Sequence, residues 1–268
     1  MLWAAVYSDA TALRGVVAPV KLPESENIQA ILLDVEGTTT PLAFVYDVLF
    51  PYAVRNLNTF IRRHFHDSEI RRFLESLRQQ RALDASLGLA PPAWNDNSEE
   101  AEIKSLAEYG RWLMKQDRKD PSLKSLQGLV WQEGYAAGEL RGQLYADVPK
   151  ALQRWREQGK ATYIYSSGSV LAQELLFQST EYGDLTDMLD GFFDTEVGGK
   201  SDTKSYRTIS AQIRCEPGQV LFISDATKEL EAAESAGMHT ALAVRPGNRT
   251  PESARFTVIH RFDEIFPS

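Results

Sequence analysis

Cysteine occurs once in the 268 residues, at Cys215, so no disulfide can form within the chain. A lone thiol fits a reducing compartment, and a cytoplasmic enzyme or binding protein is expected on that ground. No run approaches 18 apolar residues, which argues against a membrane-spanning helix. Basic residues are in deficit: 29 Lys and Arg stand against 37 Asp and Glu, for a net charge of −8. Nucleic acid and anionic membrane both require a basic footprint, so neither is expected as the main partner. Histidine is scarce, and His64, His66, His239 and His260 show no zinc-site spacing. Internal repeats and low-complexity tracts are also missing. The first residues, MLWAAVYSDATALRG, lack an early Lys or Arg and are interrupted by Asp9, so residues 1–26 are expected to be an extension rather than a secretion signal.

What remains is an ordinary globular composition, 43% hydrophobic and 25% charged, in a chain long enough for one large domain or two modest ones. Short apolar runs at Ile28–Asp34, Ala161–Ser166, Val220–Ser224 and Thr240–Val244 predict parallel strands buried on both faces. Helical segments are predicted between them at Val148–Gln158, Leu171–Phe177, Ser205–Ile213 and Lys228–Ala236, the last stopped by Gly237. Strand alternating with helix predicts an α/β fold with a doubly wound parallel sheet of Rossmann-like type. The gap between the first two strands is too long for a crossover. Its helical patterning at Tyr52–Phe65, Asp67–Gln80, Glu99–Lys115 and Lys124–Leu140 predicts an inserted helical cap domain. The expected division is a core of residues 27–44 and 147–268 with a cap of residues 45–146, inside which Ser86–Glu100 forms a surface loop. The aromatics Trp112, Trp131 and Tyr135 are expected in the cap core.

In open α/β sheets, ligands bind beyond the carboxyl ends of the strands. The stretch ILLDVEGTTTPLAF brings Asp34 to the end of the first strand, with Glu36 two residues on and Gly37 after it. If the backbone stays extended, the two carboxylates lie on one side, their Cα atoms roughly 6–7 Å apart. One could attack phosphorus while the other moves a proton. Taken alone, the pair could equally be a helix cap and a solvated loop acid. At the end of the second strand, Ser166, Ser167 and Gly168 form a turn whose hydroxyls and N–H groups suit an anion, or merely cap a helix. Gly198, Gly199 and Lys200 place a cation after a flexible loop. A nucleotide-binding P-loop would need glycine where Asp194 stands, and no strand is predicted to run into this loop, so that reading is rejected. Asp225 closes a further strand and Glu229 follows one helical turn later. Like charges 4 Å apart repel by about 4 kcal/mol at an effective dielectric near 20. Acids converging on one cleft therefore point to a divalent cation, and an all-oxygen site favours Mg²⁺ over Zn²⁺. Acid, hydroxyl, lysine and acid occurring in this order point to phosphoryl transfer.

These motifs, DVE, SSGS, GGK and SDATKE, resemble those of the haloacid dehalogenase-like superfamily, in which Asp34, Ser166 or Ser167, Lys200 and Asp225 fall on the four motif positions. Glu36 stands where the usual pattern has a second Asp. Dehalogenase members generally lack an acid there, since halide leaves without a proton, so the resemblance implies a phosphatase. The strings DVEGTTTPLAFVYDVLFPYA, QDRK, LKSLQGLVW, YIYSSGSVLAQELLF, FDTEVGGK and VRPGN further resemble the enolase-phosphatase family of methionine salvage, over about residues 27 to 268. That resemblance implies a small phosphorylated diketone, 2,3-diketo-5-methylthiopentyl-1-phosphate, as substrate and Mg²⁺ as cofactor. It implies catalytic roles for Asp34, Glu36 and Lys200, substrate contacts from Ser166, Ser167 and Lys200, and metal contacts from Asp34, Asp225 and the backbone carbonyl of Glu36. With no apolar stripe demanding a partner, a monomer is expected. The alternative reading is a generic sugar-phosphate phosphatase of the same superfamily; a third is a binding protein that senses a phosphorylated metabolite.

Overall fold

The computed structural model describes residues 27–116, 118, 120–248 and 255–267. The expectation for residues 1–26 lies outside that range. Six strands form one parallel sheet: β1 (Ala30–Leu33), β2 (Ala161–Tyr165), β3 (Gly191–Phe193), β4 (Val220–Ser224), β5 (His239–Ala243) and β6 (Val258–Ile259). Their order is β3-β2-β1-β4-β5-β6, so the winding reverses between β1 and β4. At that point neighbouring strands send their connections away in opposite directions and leave a crevice.

The sheet is buried on both sides, which explains the continuous apolar runs. Alternate strand residues face opposite ways. Ile31, Leu33, Ile164, Leu221 and Ile223 join one apolar cluster, while Ala30, Leu32, Tyr165, Val220 and Phe222 join the other. Helices α5 (Val148–Glu157) and α6 (Val170–Gln178) cover the first face through Val148, Leu152, Trp155, Leu176 and Phe177. Helices α7 (Thr203–Ile213) and α8 (Thr227–Ala236) cover the second through Tyr206, Ile209, Leu230 and Ala233. The doubly wound α/β expectation holds. Cys215 is a half-buried free thiol packed against the second cluster.

Among the described residues, five α-helices lie between β1 and β2 in the chain, the last of them α5, which packs on the sheet. A π-helical turn, Phe44–Leu49, runs directly into α1 (Phe50–His64), followed by α2 (Ser68–Ser86), α3 (Glu99–Lys115) and α4 (Pro121–Ala136). Their starts follow local chemistry. Ser98 accepts a hydrogen bond from Ala101 N, and three glutamates occupy the first turn of α3. Asp120 accepts from Leu123 N ahead of Pro121 at the first position of α4. The apolar sides of these helices, with Leu57, Phe60, Leu77, Leu106, Leu113 and Leu126, run without a break into the first sheet cluster. Close packing of α4 on α6 depends on Gly128, where a Cβ would lie 3.3 Å from Ser169 Oγ and 3.4 Å from Leu171. Trp131 and Tyr135 are buried as expected, and Trp112 stacks on Tyr109.

Two strands were not foreseen. The three residues of β3 and the two of β6 lie at the sheet edges and are too short to show a period. The existence of β3 also corrects the expectation that no strand leads toward the Gly198–Lys200 loop.

Where the inserted helices return to the sheet, Asp147 Oδ2 accepts from Arg245 Nη1 at 2.8 Å and from Phe262 N at 2.6 Å. Arg245, itself buried between the rings of Tyr145 and Phe262, also donates to Thr38 O at 2.9 Å and His260 O at 2.9 Å. Tyr145 N donates to Thr39 O at 3.0 Å, which ties the outgoing and returning chains together. Removing one partner of a buried ion pair leaves the other charge uncompensated, a loss of roughly 3–5 kcal/mol. Asp147→Ala is therefore expected to lower the urea midpoint by that free energy; a change below about 1 kcal/mol would contradict the pair's structural role.

Candidate active site

Asp34 follows β1 and Asp225 follows β4, so the two acids stand side by side at the reversal of the sheet. The three threonines after Glu36 shape this end of β1. The N–H groups of Thr38, Thr39 and Thr40 all turn to Val35 O, at 3.2, 3.0 and 2.9 Å. Gly37 closes the hook with N–H to Thr40 O at 2.8 Å and a φ of 76°, a conformation that side chains disfavour. A Cβ there would also collide with Asp225 Oδ2 and lie 2.9 Å from Asn248 Nδ2. Thr38 joins the two strand ends: its hydroxyl lies 3.3 Å from Asp34 Oδ2 and accepts from Asp225 N at 3.0 Å.

Lys200 reaches this point from the turn before α7. Its ammonium is bonded to Asp34 Oδ1 and lies 2.7 Å from Glu229 Oε2. Burial alone would lower its pKa, but the charges and hydrogen bonds of Asp34 and Glu229 hold it above the ordinary lysine range. Tyr206 OH donates to Lys200 O at 2.6 Å and Tyr165 OH to Gly198 O at 2.9 Å, which fixes the loop. Ser224 Oγ lies 2.9 Å from Glu229 Oε2 and accepts from Ala226 N at 3.1 Å.

One ammonium does not balance three carboxylates. Burial, followed by the charges of Asp34 and Glu229, pushes Asp225 up to about 7, with Lys200 acting the other way. Asn248 Nδ2 donates to Asp225 Oδ2 at 3.0 Å and to Gly37 O at 2.7 Å, while its Oδ1 is buried without a partner. This excess of oxygen donors and negative charge is what a hard divalent cation fits. Among the described residues, no group of three or more His, Cys, Asp or Glu side chains forms a metal cluster by itself.

Glu36, Ser166 and Ser167 are placed differently. They line a cavity between the carboxyl ends of the inner strands and the inserted helices, together with Val45, Leu49, Phe50, Leu123, Trp131 and Leu176. The cavity wall is mainly apolar, with polar groups contributed both by the sheet side and by Arg118, Lys124 and Gln127 of the helical side. Ser166 Oγ accepts from Gly168 N at 3.1 Å, and Ser169 caps α6 by accepting from Ala172 N at 3.3 Å. Trp131, expected in the cap core in preference to a ligand cage, also walls the cavity, and its indole N–H donates to Leu49 O at 2.8 Å. The sequence-predicted residues are thus brought to one end of the sheet: Asp34, Lys200 and Asp225 in a charged cluster, Glu36 and the serines at the adjoining cavity. Thr38, Ser224 and Asn248 were not anticipated. Asn248 stands within the VRPGN string and Thr38 within the threonine run, the signals that could have drawn notice to them.

A family model described as haloacid dehalogenase-like hydrolase matches residues 28–237, and the chain belongs to that family. Within it, the chain is 48% identical over 244 residues to enolase-phosphatase E1 of Synechococcus elongatus, covering 91% of this chain and 100% of the relative. It is 45% identical over 248 residues to enolase-phosphatase E1 of Xenopus tropicalis, covering 90% and 96%. The crystal structure of the UTR4 protein of Saccharomyces cerevisiae superposes with a TM-score of 0.71 at 34% identity, over 88% of this chain and 99% of that one. Phosphatases of this family generally use a divalent metal.

Gly37→Ala places a methyl group against Asp225 and Asn248 at a backbone angle that disfavours it. Displacements of about 1 Å at a reacting centre can cost 10²-fold in rate. The variant is expected to keep the helical circular dichroism of the parent, lose at least about tenfold in phosphatase activity, and bind divalent cation more weakly in titration calorimetry. Unaltered cation affinity would show that Gly37 does not shape the site.

Proposed function

We propose that the protein is an enolase-phosphatase of methionine salvage. It converts 2,3-diketo-5-methylthiopentyl-1-phosphate to the acireductone 1,2-dihydroxy-3-keto-5-methylthiopentene and phosphate. The observation that carries this reading is the adjacency of two environments. A charged cluster of Asp34, Lys200 and Asp225 adjoins a cavity in which Glu36 meets an apolar wall of Val45, Leu49, Phe50 and Trp131. A methylthioalkyl tail matches such a wall, while the polar groups on the same cavity, among them Arg118, Lys124 and Gln127, suit the polar end of the substrate. The enolase-phosphatase names of the relatives support the same conclusion.

In the phosphatase half, Asp34 is the nucleophile and forms an aspartyl-phosphate. Lys200, bonded to Asp34 and Glu229, aims positive charge at the incoming phosphate and keeps the attacking oxygen oriented. Glu36 donates a proton to the departing oxygen and then accepts one from the water that hydrolyses the intermediate. Ser166 and Ser167 bind substrate at the sheet side of the cavity. In the enolase half, Glu36 is the favoured base, because it lines the cavity and Lys200 does not. Asp34, Asp225 and the backbone carbonyl of Glu36 would hold Mg²⁺, which when bound would neutralise phosphoryl oxygen and carboxylate charge. Residues 45–146 act as the cap that shields the reaction from water. The protein is taken to act as a cytoplasmic monomer.

Asp34→Asn is expected to reduce phosphate release by at least about 10⁴-fold, the scale seen when a covalent nucleophile is removed, with the melting temperature little changed. Substantial residual turnover would refute the nucleophilic role. Treatment with EDTA is expected to silence the enzyme and Mg²⁺ to restore it, with phosphate and an oxygen-sensitive enediol chromophore appearing together from the diketone. Phosphate without that chromophore would indicate a plain phosphatase.

A further inference from the structure

Two cations from the inserted helices line the cavity beside Glu36, and they are differently committed. Lys124 of α4 reaches across to the sheet side, where its Nζ lies 3.0 Å from Thr195 Oγ1 and 3.8 Å from Asp194 Oδ2. Arg118, in the connection between α3 and α4, is anchored within the helical layer by Asp84 of α2, whose Oδ2 accepts from Nη1. Asp84 is only 1% exposed. It accepts further from Tyr109 OH at 2.7 Å and Gln80 Nε2 at 2.9 Å. Burial opposes its charge, but bonds from Arg118, Tyr109 and Gln80 hold its pKa below the usual carboxylate range, so it stays an anion. The Trp112 ring lies 5.8 Å from the guanidinium carbon on the same assembly.

A buried ion pair is a weak device for stability alone, because desolvation offsets most of its attraction. What this one achieves is placement. A guanidinium carries five N–H donors in a rigid plane. Asp84 engages Nη1, and the residue remains 31% exposed at the cavity wall. A fixed cation with donors remaining, in a mainly apolar cavity that Glu36 also lines, suits a group that becomes negative during reaction.

We propose that Arg118, positioned by Asp84, contacts the adjacent carbonyls of the substrate and stabilises the negative charge formed on the carbon-2 oxygen during enolisation. The inference rests on the enolase-phosphatase reading. In that half-reaction the base takes the proton from carbon 1. The C–H electron pair becomes the C1=C2 double bond, and the carbonyl π pair moves to the carbon-2 oxygen, which then takes a proton to give the enol. Phosphorus is untouched in this step, so the demand for positive charge falls at the carbonyl end. Arginine keeps its charge and serves as a fixed partner for that oxyanion without losing a proton to it. Arg118 is the substrate contact; Asp84 acts through it and is a positioning residue.

The test compares two rates in each variant. One is enolisation of the diketone phosphate, followed by deuterium exchange at carbon 1 and by enediol absorbance. The other is hydrolysis of p-nitrophenyl phosphate, which has no carbonyl to stabilise. Arg118→Met is expected to lower the ratio of the first rate to the second by about 10²-fold, as when an oxyanion donor is removed. Methylguanidinium in solution should restore part of the loss, and Arg118→Lys should retain more of the ratio than Arg118→Met. Asp84→Asn, which keeps the shape but removes the charge, should lower the same ratio by about tenfold in protein whose circular dichroism is unchanged. An equal fall on both substrates would make Arg118 a phosphate-binding or structural group and overturn the inference. So would an unchanged ratio in Arg118→Met. Failure of the wild-type protein to enolise the diketone would overturn the enolase-phosphatase reading, and this inference with it.

Discussion

Lys200 is the charge on which the catalytic end of the sheet depends. Parallel strands deliver Asp34 and Asp225 to neighbouring positions, and α8 adds Glu229 from its first turn. Brought together without compensation, these acids would repel by several kcal/mol. The ammonium, held between Asp34 and Glu229, removes part of that repulsion and leaves the remainder for a divalent cation. Folding and catalysis thus make the same demand. The arrangement that tolerates the buried carboxylate of Asp34 is also the one that, on the proposed reading, would let it approach an anionic phosphate. The hooked backbone at Gly37 and the hydroxyl of Thr38 are secondary to this charge balance, since both serve to fix where the acids stand.

Much of this was legible in the chain itself. The apolar runs ending in Asp34 and Asp225 identified β1 and β4 because a strand buried on both faces must be apolar throughout. The long helical interval between the first two strands was likewise legible, since an ordinary crossover does not require that length. Lys200 after two glycines would by itself read as a surface residue; it drew notice only in chain order with Asp34, the serines and Asp225. The contributions of Asn248, Thr38 and Ser224 were not legible, because their roles depend on hydrogen bonds to segments distant in the chain. The edge strands β3 and β6 were missed for another reason. With three and two residues, neither completes enough of a period to be distinguished from loop.

The inserted helices show a similar division. Their existence followed from helical patterning, whereas the start of α4 at Pro121, capped by Asp120 ahead of the expected Lys124, and the partner of Arg118 did not. Asp84 lies within α2, and nothing in its local sequence says that it is buried rather than solvated. Polar residues placed inside a helical layer are read correctly only when the opposing surface is known. In this protein that surface carries Tyr109 and Arg118, and through Arg118 it extends to the cavity.

The tie between Tyr145 N and Thr39 O, reinforced by the Arg245 bonds to Thr38 O and Asp147, has a mechanical consequence. Both chain segments that join the helices to the sheet are clamped to each other and to the C-terminal region before the helices begin. If the helical layer swings to admit substrate, its pivot therefore lies beyond the clamp, toward the π-helical turn at Phe44–Leu49 on one side and the residues preceding Tyr145 on the other. Asp34 lies on the sheet side of that clamp, so such a swing would leave its carboxylate where it stands.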